Sequence, residues 1–577
     1  MNLKYILLLF IILSMKGLNA QNARLDSLNT YLDTVDKFGF SGQVLVEQNG
    51  KVIINRAFGQ LSENSSQNIT DETLFGIASV SKQFTAAAIC LLAQREKLKF
   101  DDSLGEFFSG VPNDKSNITI HQLLTHTSGL QGGDLIRDFE NISKKEMLSR
   151  ILSSQMKEKP GEKWRYSNIG YNVLAFIIEK VTGVSYEEFL TKEIFNPLNM
   201  LHTRIIGGKY SWEGLTAANA INGSTDVGSP MQWKYNMRTL GSGNIASTVS
   251  DLHKWNTALQ NFTLLNKELT ERLFYPHTQI QGTEFYGYGW FVFKDENAKT
   301  KLIEHGGDYE KGFNGVIYKY LEKDVTIFIL SNKYEPFGAN LSSRWAIFYA
   351  IRNYLTKEVN KLPYINKTIS NTKNPDVLGN YKNKNHSSSI IISKTQNSDY
   401  SLEFEGLDVT NEIFQVPDSI KQLSQNAIDK TNHLVNELVW GNLEAYKKVI
   451  ERPDRWDITF AQEWRDIIKT NGEIISFKMI AAIPNFYNDG VKCIVKLFHE
   501  RGTSSMTFSW MDYGRDKLYE TIPNDDIKLN RVMQKTKSGT WVIYDLFTKK
   551  WLEILVDIPN RNIRIGPLLL EKQQLKL

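Results

Sequence analysis

From Ala23 to Phe38 the apolar residues Leu25, Leu28, Leu32 and Val35 recur at helical spacing. The period then changes. In "SGQVLVEQNGKVIINRAFG" two β-rich runs flank Asn49-Gly50, the pair that most readily makes a type I′ turn, so a hairpin is predicted. A helix follows, running through "SVSKQFTAAAICLLAQ" and containing Ser79. Helical patterns dominate from about Ile120 to Leu198, including Tyr171 to Thr182. "GFNGVIYKY" and "DVTIFILSN" read as two more strands, joined around Glu322-Lys323. Helix, strand pair, helices, strand group and helix in that order predict a mixed sheet covered by helices, not an alternating parallel βαβ array.

The texture changes after "NKLPYINKTISNTKNPDV", which is rich in Asn, Lys, Thr and Pro and has no apolar period. We place a linker at 361–376. Residues 377–425 alternate polar and apolar positions, as in "SSSIIISKTQNSDYSLEFEG", and predict antiparallel strands. Residues 426–524 open on the helical pattern "HLVNELVWGNLEAYKKVI". They continue with strands such as "ISFKMIAAI", "VKCIVKLFHE" and "SSMTFSWMDYG", an α+β module. Residues 525–577, with "GTWVIYDLFTKKWLEILVDI", read as β-hairpins.

The chain has 577 residues, more than one hydrophobic core accommodates, so several domains are expected. Its formal net charge is only +4, with no compact Lys/Arg run, which argues against nucleic acid as a partner. Residues 1–20 have the pattern of a signal peptide. Lys4 is the basic residue, Tyr5 to Met15 the apolar stretch, and Ala20 the small residue before the cut. That stretch is about half the ~20 residues a membrane-spanning helix needs. An exported protein, periplasmic or secreted and free of the membrane after cleavage, is expected. Its two cysteines, Cys90 and Cys493, are too few for a disulfide framework.

Candidate chemistry starts at Ser79 and Lys82. A serine hydroxyl needs a neighbouring base and a place for the oxyanion. Residues three apart on a helix share a face, so Lys82 can reach Ser79. The spacing alone is weak, since S-x-x-K also begins at Ser154 and Ser370. A second element is Tyr166-Ser167-Asn168, which follows Pro160-Gly161 and opens a helix. A tyrosine there can relay a proton, and an asparagine can hold the lysine and a substrate amide. Y-x-N recurs at Tyr364 and Tyr381 without that context. The third element is His305-Gly306-Gly307 at a strand end, where glycines let a ligand approach the backbone.

Five ordered segments, "LFGIASVSKQFTAAAI", "ITIHQLLTHTSGL", "PGEKWRYSNIGY", "GSGNIASTVSDLHKW" and "HGGDYEKGFNG", resemble the serine β-lactamase and penicillin-binding-protein superfamily. The likeness is to its class C branch of β-lactamases, D,D-peptidases, D-aminopeptidases and esterases, over about residues 24–355. It implies an α/β (α+β) catalytic domain at 21–360, an antiparallel sheet flanked by helices plus a helical subdomain. It implies that Ser79 is acylated and that Lys82 and Tyr166 share the general-base and general-acid work, in an order the sequence leaves open. Asn168 would order the site. His305-Gly306-Gly307 would stand where the family has Lys-Thr-Gly, and the N–H groups of Ser79 and Asp308 would form the oxyanion hole. The substrate would be a small molecule or short peptide (a D-amino-acid peptide, a β-lactam or an ester), with no metal or organic cofactor.

His305 and Gly306 depart from the family's lysine and hydroxyl residue, which argues against efficient β-lactam hydrolysis. His121 and His126 lack the spacing of a zinc site and are expected to serve loop and helix-start hydrogen bonds. About residues 426–522 vaguely resemble the cone-shaped modules related to nuclear transport factors. Trp440, Trp456, Trp464 and Trp510 are expected in its core rather than in a pocket. The rival reading is a catalytically weak recognition protein for peptide or glycan.

Overall fold

The computed structural model describes residues 25–573 apart from internal stretches, the longest being 335–342, 356–377 and 450–463. The expected signal peptide and the 361–376 linker lie outside the described residues, and the helix expected over 23–38 is described at 25–33 and 35. The chain divides into two compact units, 41–334 and 1–40 with 335–577.

The first unit is built on an eight-stranded sheet. Its strands are β1 (Gly42–Gln48), β2 (Lys51–Phe58), β3 (Thr278–Gln281), β4 (Glu284–Tyr286), β5 (Phe291–Lys294), β6 (Thr300–Asp308), β7 (Asn314–Tyr320) and β8 (Val325–Ser331). They lie in the order β2-β1-β8-β7-β6-β5-β4-β3. Every pairing is antiparallel, which corrects the mixed sheet expected from the pattern. The β1–β2 hairpin turns at Asn49 and Gly50, with φ of 52° and 69°, the two left-handed residues that a type I′ turn requires.

Four helices matter for the site: α1 (Lys82–Gln94), α2 (Ile120–Leu124), α3 (Asn168–Thr182) and α4 (Val249–Gln260). From Lys82 to Leu92 every residue of α1 is buried. A helix apolar on all sides belongs inside the protein. Phe84 packs on Trp255 of α4 at 4.5 Å between ring centroids. α2 starts in a capping box, with Thr119 and Gln122 bonding each other's backbone N–H. α3 starts at Asn168, in the element read as a helix opening, because Ser167 caps it by accepting from Gly170 N. Gly183, at φ 74°, ends it.

In the second unit the β-rich segments on either side of the α+β module belong to one closed barrel. Its strands are β9 (Gly379–Lys382), β10 (Ser389–Lys394) and β11 (Tyr400–Glu405), then, after the module, Leu529–Lys535, Trp541–Asp545, Lys550–Asp557, Asn562–Ile565 and Leu568–Lys572. Closure comes from β11 pairing with Leu529–Lys535 and β9 with Leu568–Lys572. Between them lie helices Leu407–Ile413, Asp418–Val439 and Leu443–Val449 and a four-stranded sheet over 474–524. Helix Leu407–Ile413 falls where strand was expected. Trp464 and Trp510 are core, as expected. Trp440 is 82% exposed, which corrects the expectation for it, and Trp456 lies outside the described residues. Cys90 and Cys493 are free and buried. Among the described residues no helix is long and apolar enough to cross a membrane.

Candidate active site

Ser79 lies not on α1 but in the 3₁₀ turn Ala78–Ser81 that leads into it. Residues three apart eclipse in a 3₁₀ turn, so the tighter geometry brings Lys82 under Ser79. The residue before the nucleophile, Ala78, has φ 45°. A side chain in this left-handed region costs on the order of 1–2 kcal/mol, strain that the surrounding structure must hold. Two bonds do so: Ile77 N donates to Ile245 O at 2.9 Å, and Ile245 N donates to Ser81 Oγ at 3.2 Å. The same stitching brings the 241–244 loop against Lys82.

Lys82 Nζ is fully buried. It stands 3.0 Å from Ser79 Oγ, 2.7 Å from Asn168 Oδ1 and 2.8 Å from Ser242 O. Burial pushes its pKa well below the usual lysine value. A neutral amine has two hydrogens and one lone pair. The two carbonyl oxygens, of Asn168 and Ser242, can only accept. They take the two hydrogens, so the lone pair faces the Ser79 hydroxyl, which can donate.

Tyr166 completes the group. Its ring centroid is 4.8 Å from Lys82 Nζ, and its hydroxyl neighbours the Ser79 side chain. Burial raises the phenol's pKa above its usual value. The neighbouring Ser79 hydroxyl opposes that shift, and the nearby Glu304 and Asp308 charges add to it. Two titratable groups, one pushed down and one pushed up, suit a base and an acid.

The β6 strand forms the other wall. A methyl on Gly307 would fall on the Ile77 carbonyl oxygen and 2.6 Å from Ser79 N, so this glycine lets β6 lie against the nucleophile turn. Gly306 is different. A methyl there would meet nothing nearer than 3.9 Å. His305 is buried, with Nε2 3.1 Å from Tyr286 OH and Nδ1 2.6 Å from its neighbour's carbonyl, Gly306 O. The carbonyl must receive a hydrogen, so Nδ1 carries it and Nε2 accepts from the phenol. Burial first, and the Lys82 charge second, lower the His305 pKa to about 3. The ring is neutral and engaged within the protein. Asp308 ends β6 and is exposed. After it, Tyr309 OH donates to Gly243 O across the site.

The structure therefore brings Ser79, Lys82, Tyr166 and Asn168 into one cluster, with Gly307 against it and the His305 ring 6.4 Å from that of Tyr166. His121 and His126 belong to separate clusters. His121 Nδ1 is 2.7 Å from Tyr288 OH and its ring faces His277 at 5.3 Å. The His126 ring lies 4.4 Å from that of Tyr166. Sequence reasoning assigned no role to Ser242, whose contribution is a backbone carbonyl and leaves no residue-type signal. Among the described residues no group of three or more His, Cys, Asp or Glu could hold a metal ion.

Residues 34–350 match the family described as Beta-lactamase. The chain is 32% identical over 336 residues to penicillin-binding protein 4* of Bacillus subtilis, covering 55% of this chain and 73% of that protein. It is 29% identical over 306 residues to protein flp of Staphylococcus aureus, covering 50% of this chain and 59% of that protein. Among solved structures, a penicillin-binding protein from Bacillus halodurans is similar at 27% identity and TM-score 0.46, covering 54% of this chain and 95% of that one.

Proposed function

The chain belongs to the β-lactamase family of serine hydrolases, and we propose that it is an exported enzyme that forms an acyl-enzyme on Ser79 from small amides or esters. The observation that carries this reading is the three-way coordination of Lys82. A buried lysine held by two acceptors with no hydrogen to give is a ready base for the one partner that has one.

Lys82 takes the Ser79 proton, and Oγ attacks the substrate carbonyl. The N–H groups of Ser79 and Asp308 receive the oxyanion. Tyr166, kept protonated by burial, is the acid side of the relay. It passes a proton to the leaving amine or alcohol and recovers one from Lys82. Water then enters where the leaving group left, gives its proton back through the same pair, and releases the acid and free Ser79. Every proton moves between side chains of this chain, substrate and water.

His305 bears on the substrate class. A neutral imidazole with both nitrogens engaged offers no cation to a substrate carboxylate. Uncharged esters and amides fit this site better than β-lactams or D-peptides with a free carboxylate next to the scissile bond. The test is turnover of p-nitrophenyl butyrate by the mature protein beside Ser79→Ala. Turnover lost in the variant supports the reading; turnover that survives it, or none from folded wild type, removes it.

A further inference from the structure

The nucleophile and its base do not account for His126. This residue follows α2 at φ 59°, a left-handed conformation that few side chains adopt, asparagine, aspartate and histidine most often. Its backbone carbonyl accepts from Arg165 N at 2.8 Å, and its Nδ1 accepts from Ser167 N at 3.1 Å. Those two N–H groups flank Tyr166. An amide N–H can only donate, so Nδ1 carries no hydrogen and the neutral ring holds its proton on Nε2. Nε2 is buried and has no hydrogen-bond partner among the described residues. The ring sits among phenol rings, 4.4 Å from Tyr166, 4.5 Å from Tyr286 and 5.1 Å from Tyr171. Burial, and then the nearby Lys82 charge, hold its pKa well below the usual histidine value. An apolar residue would fill this space without stranding an N–H. What it would lack is the Nδ1 acceptor.

We propose that His126 is a positioning residue for acyl transfer at Ser79. Its carbonyl and Nδ1 clamp the backbone on both sides of Tyr166, and its ring face sets the phenol over Ser79 and Lys82. The clamp reaches further through Ser167, which caps α3 and so fixes Asn168, the acceptor of Lys82. Histidine thus enters as a neutral acceptor and a flat surface, with no proton of its own in the reaction. The inference rests on the acyl-transfer reading above.

The test compares His126→Asn with His126→Gln in the full chain. Asparagine Oδ1 sits the same number of bonds from Cβ as Nδ1, and asparagine tolerates the left-handed backbone. Glutamine reaches toward the Nε2 position and puts its amide carbon, which accepts no hydrogen bond, where the acceptor was. With p-nitrophenyl butyrate, we expect Asn to keep kcat within about fivefold and Gln to lose about 10²-fold with KM little changed, the scale of a ~1 Å misplacement. Crystal structures of both should show the Tyr166 ring still about 4.8 Å from Lys82 Nζ in Asn and displaced in Gln. Wild-type kcat in Gln with Tyr166 in place overturns the clamp. So does an Asn variant that loses about 10²-fold in kcat while Tyr166 stays put, and this arm stands even where Gln fails to fold. If wild type turns over no ester, the acyl-transfer reading falls and the two structures still decide the clamp.

Discussion

The two walls of the site are made differently. On the α1 side the lysine is buried and the side chains around it are half-buried and closely coordinated, an arrangement that suits a proton transfer: Lys82 at 3.0 Å from Ser79, two carbonyl oxygens behind it, Tyr166 alongside. On the β6 side one glycine is tight and its neighbour is roomy, while the histidine turns inward to Tyr286 and its own strand. The first wall is organised for bond making. The second presses on the nucleophile at Gly307 and leaves space at Gly306, so it sets what is bound more than whether it reacts.

The hardest test of this contrast is Lys82→Arg. Arginine keeps the charge but has no lone pair at any accessible pH, so loss of the base should lower kcat by about 10²–10⁴-fold. An arginine variant within tenfold of wild type would turn Lys82 into a mere counter-charge.

The next test sets the two glycines against each other. Gly307→Ala drives a methyl against Ile77 and Ser79 and should cost about 10²-fold in kcat, as displaced reacting groups do. Gly306→Ala has room and should cost far less, with its effect in KM. Equal losses would mean that the walls are not distinct.

A smaller effect lies in the pH profile. With Lys82 as the proposed base its neutral form is the reactive one, and burial lowers its pKa from the usual lysine value, so the acylation rate should fall as pH drops through the lowered value and rise above it. His305, at about 3, is neutral across the working range. His305→Gln should therefore leave the position of that limb unmoved, and a limb that vanished in this variant would reassign the base.

The smallest effect concerns another buried lysine, Lys319 of β7, lowered to about 8 by burial. Between about 8 and 10.5 the unfolded chain holds a proton that the folded chain has lost, so stability rises with pH in that window. Lys319→Met should flatten that slope in a denaturant series and leave the acylation limb in place.

Much of this was legible in local pattern. Asn49-Gly50 announced its turn, and Ser79, Lys82, Tyr166 and Asn168 were named from spacing and context. What escaped was non-local. The barrel closes through pairings between residues near 400 and near 530, and alternating strands do not say which partners they choose. Ser242 acts through a backbone oxygen, which any residue type supplies. The inward turn of His305 depends on Tyr286, 19 residues away.

The central claim is that Ser79 is an activated nucleophile with Lys82 as its base. Intact-mass spectrometry after a fluorophosphonate probe, run over a pH series beside Ser79→Ala, tests it most directly. The account predicts one adduct, absent from the variant, whose rate of formation climbs with pH. No adduct on folded protein, or an adduct that persists without Ser79, would contradict it.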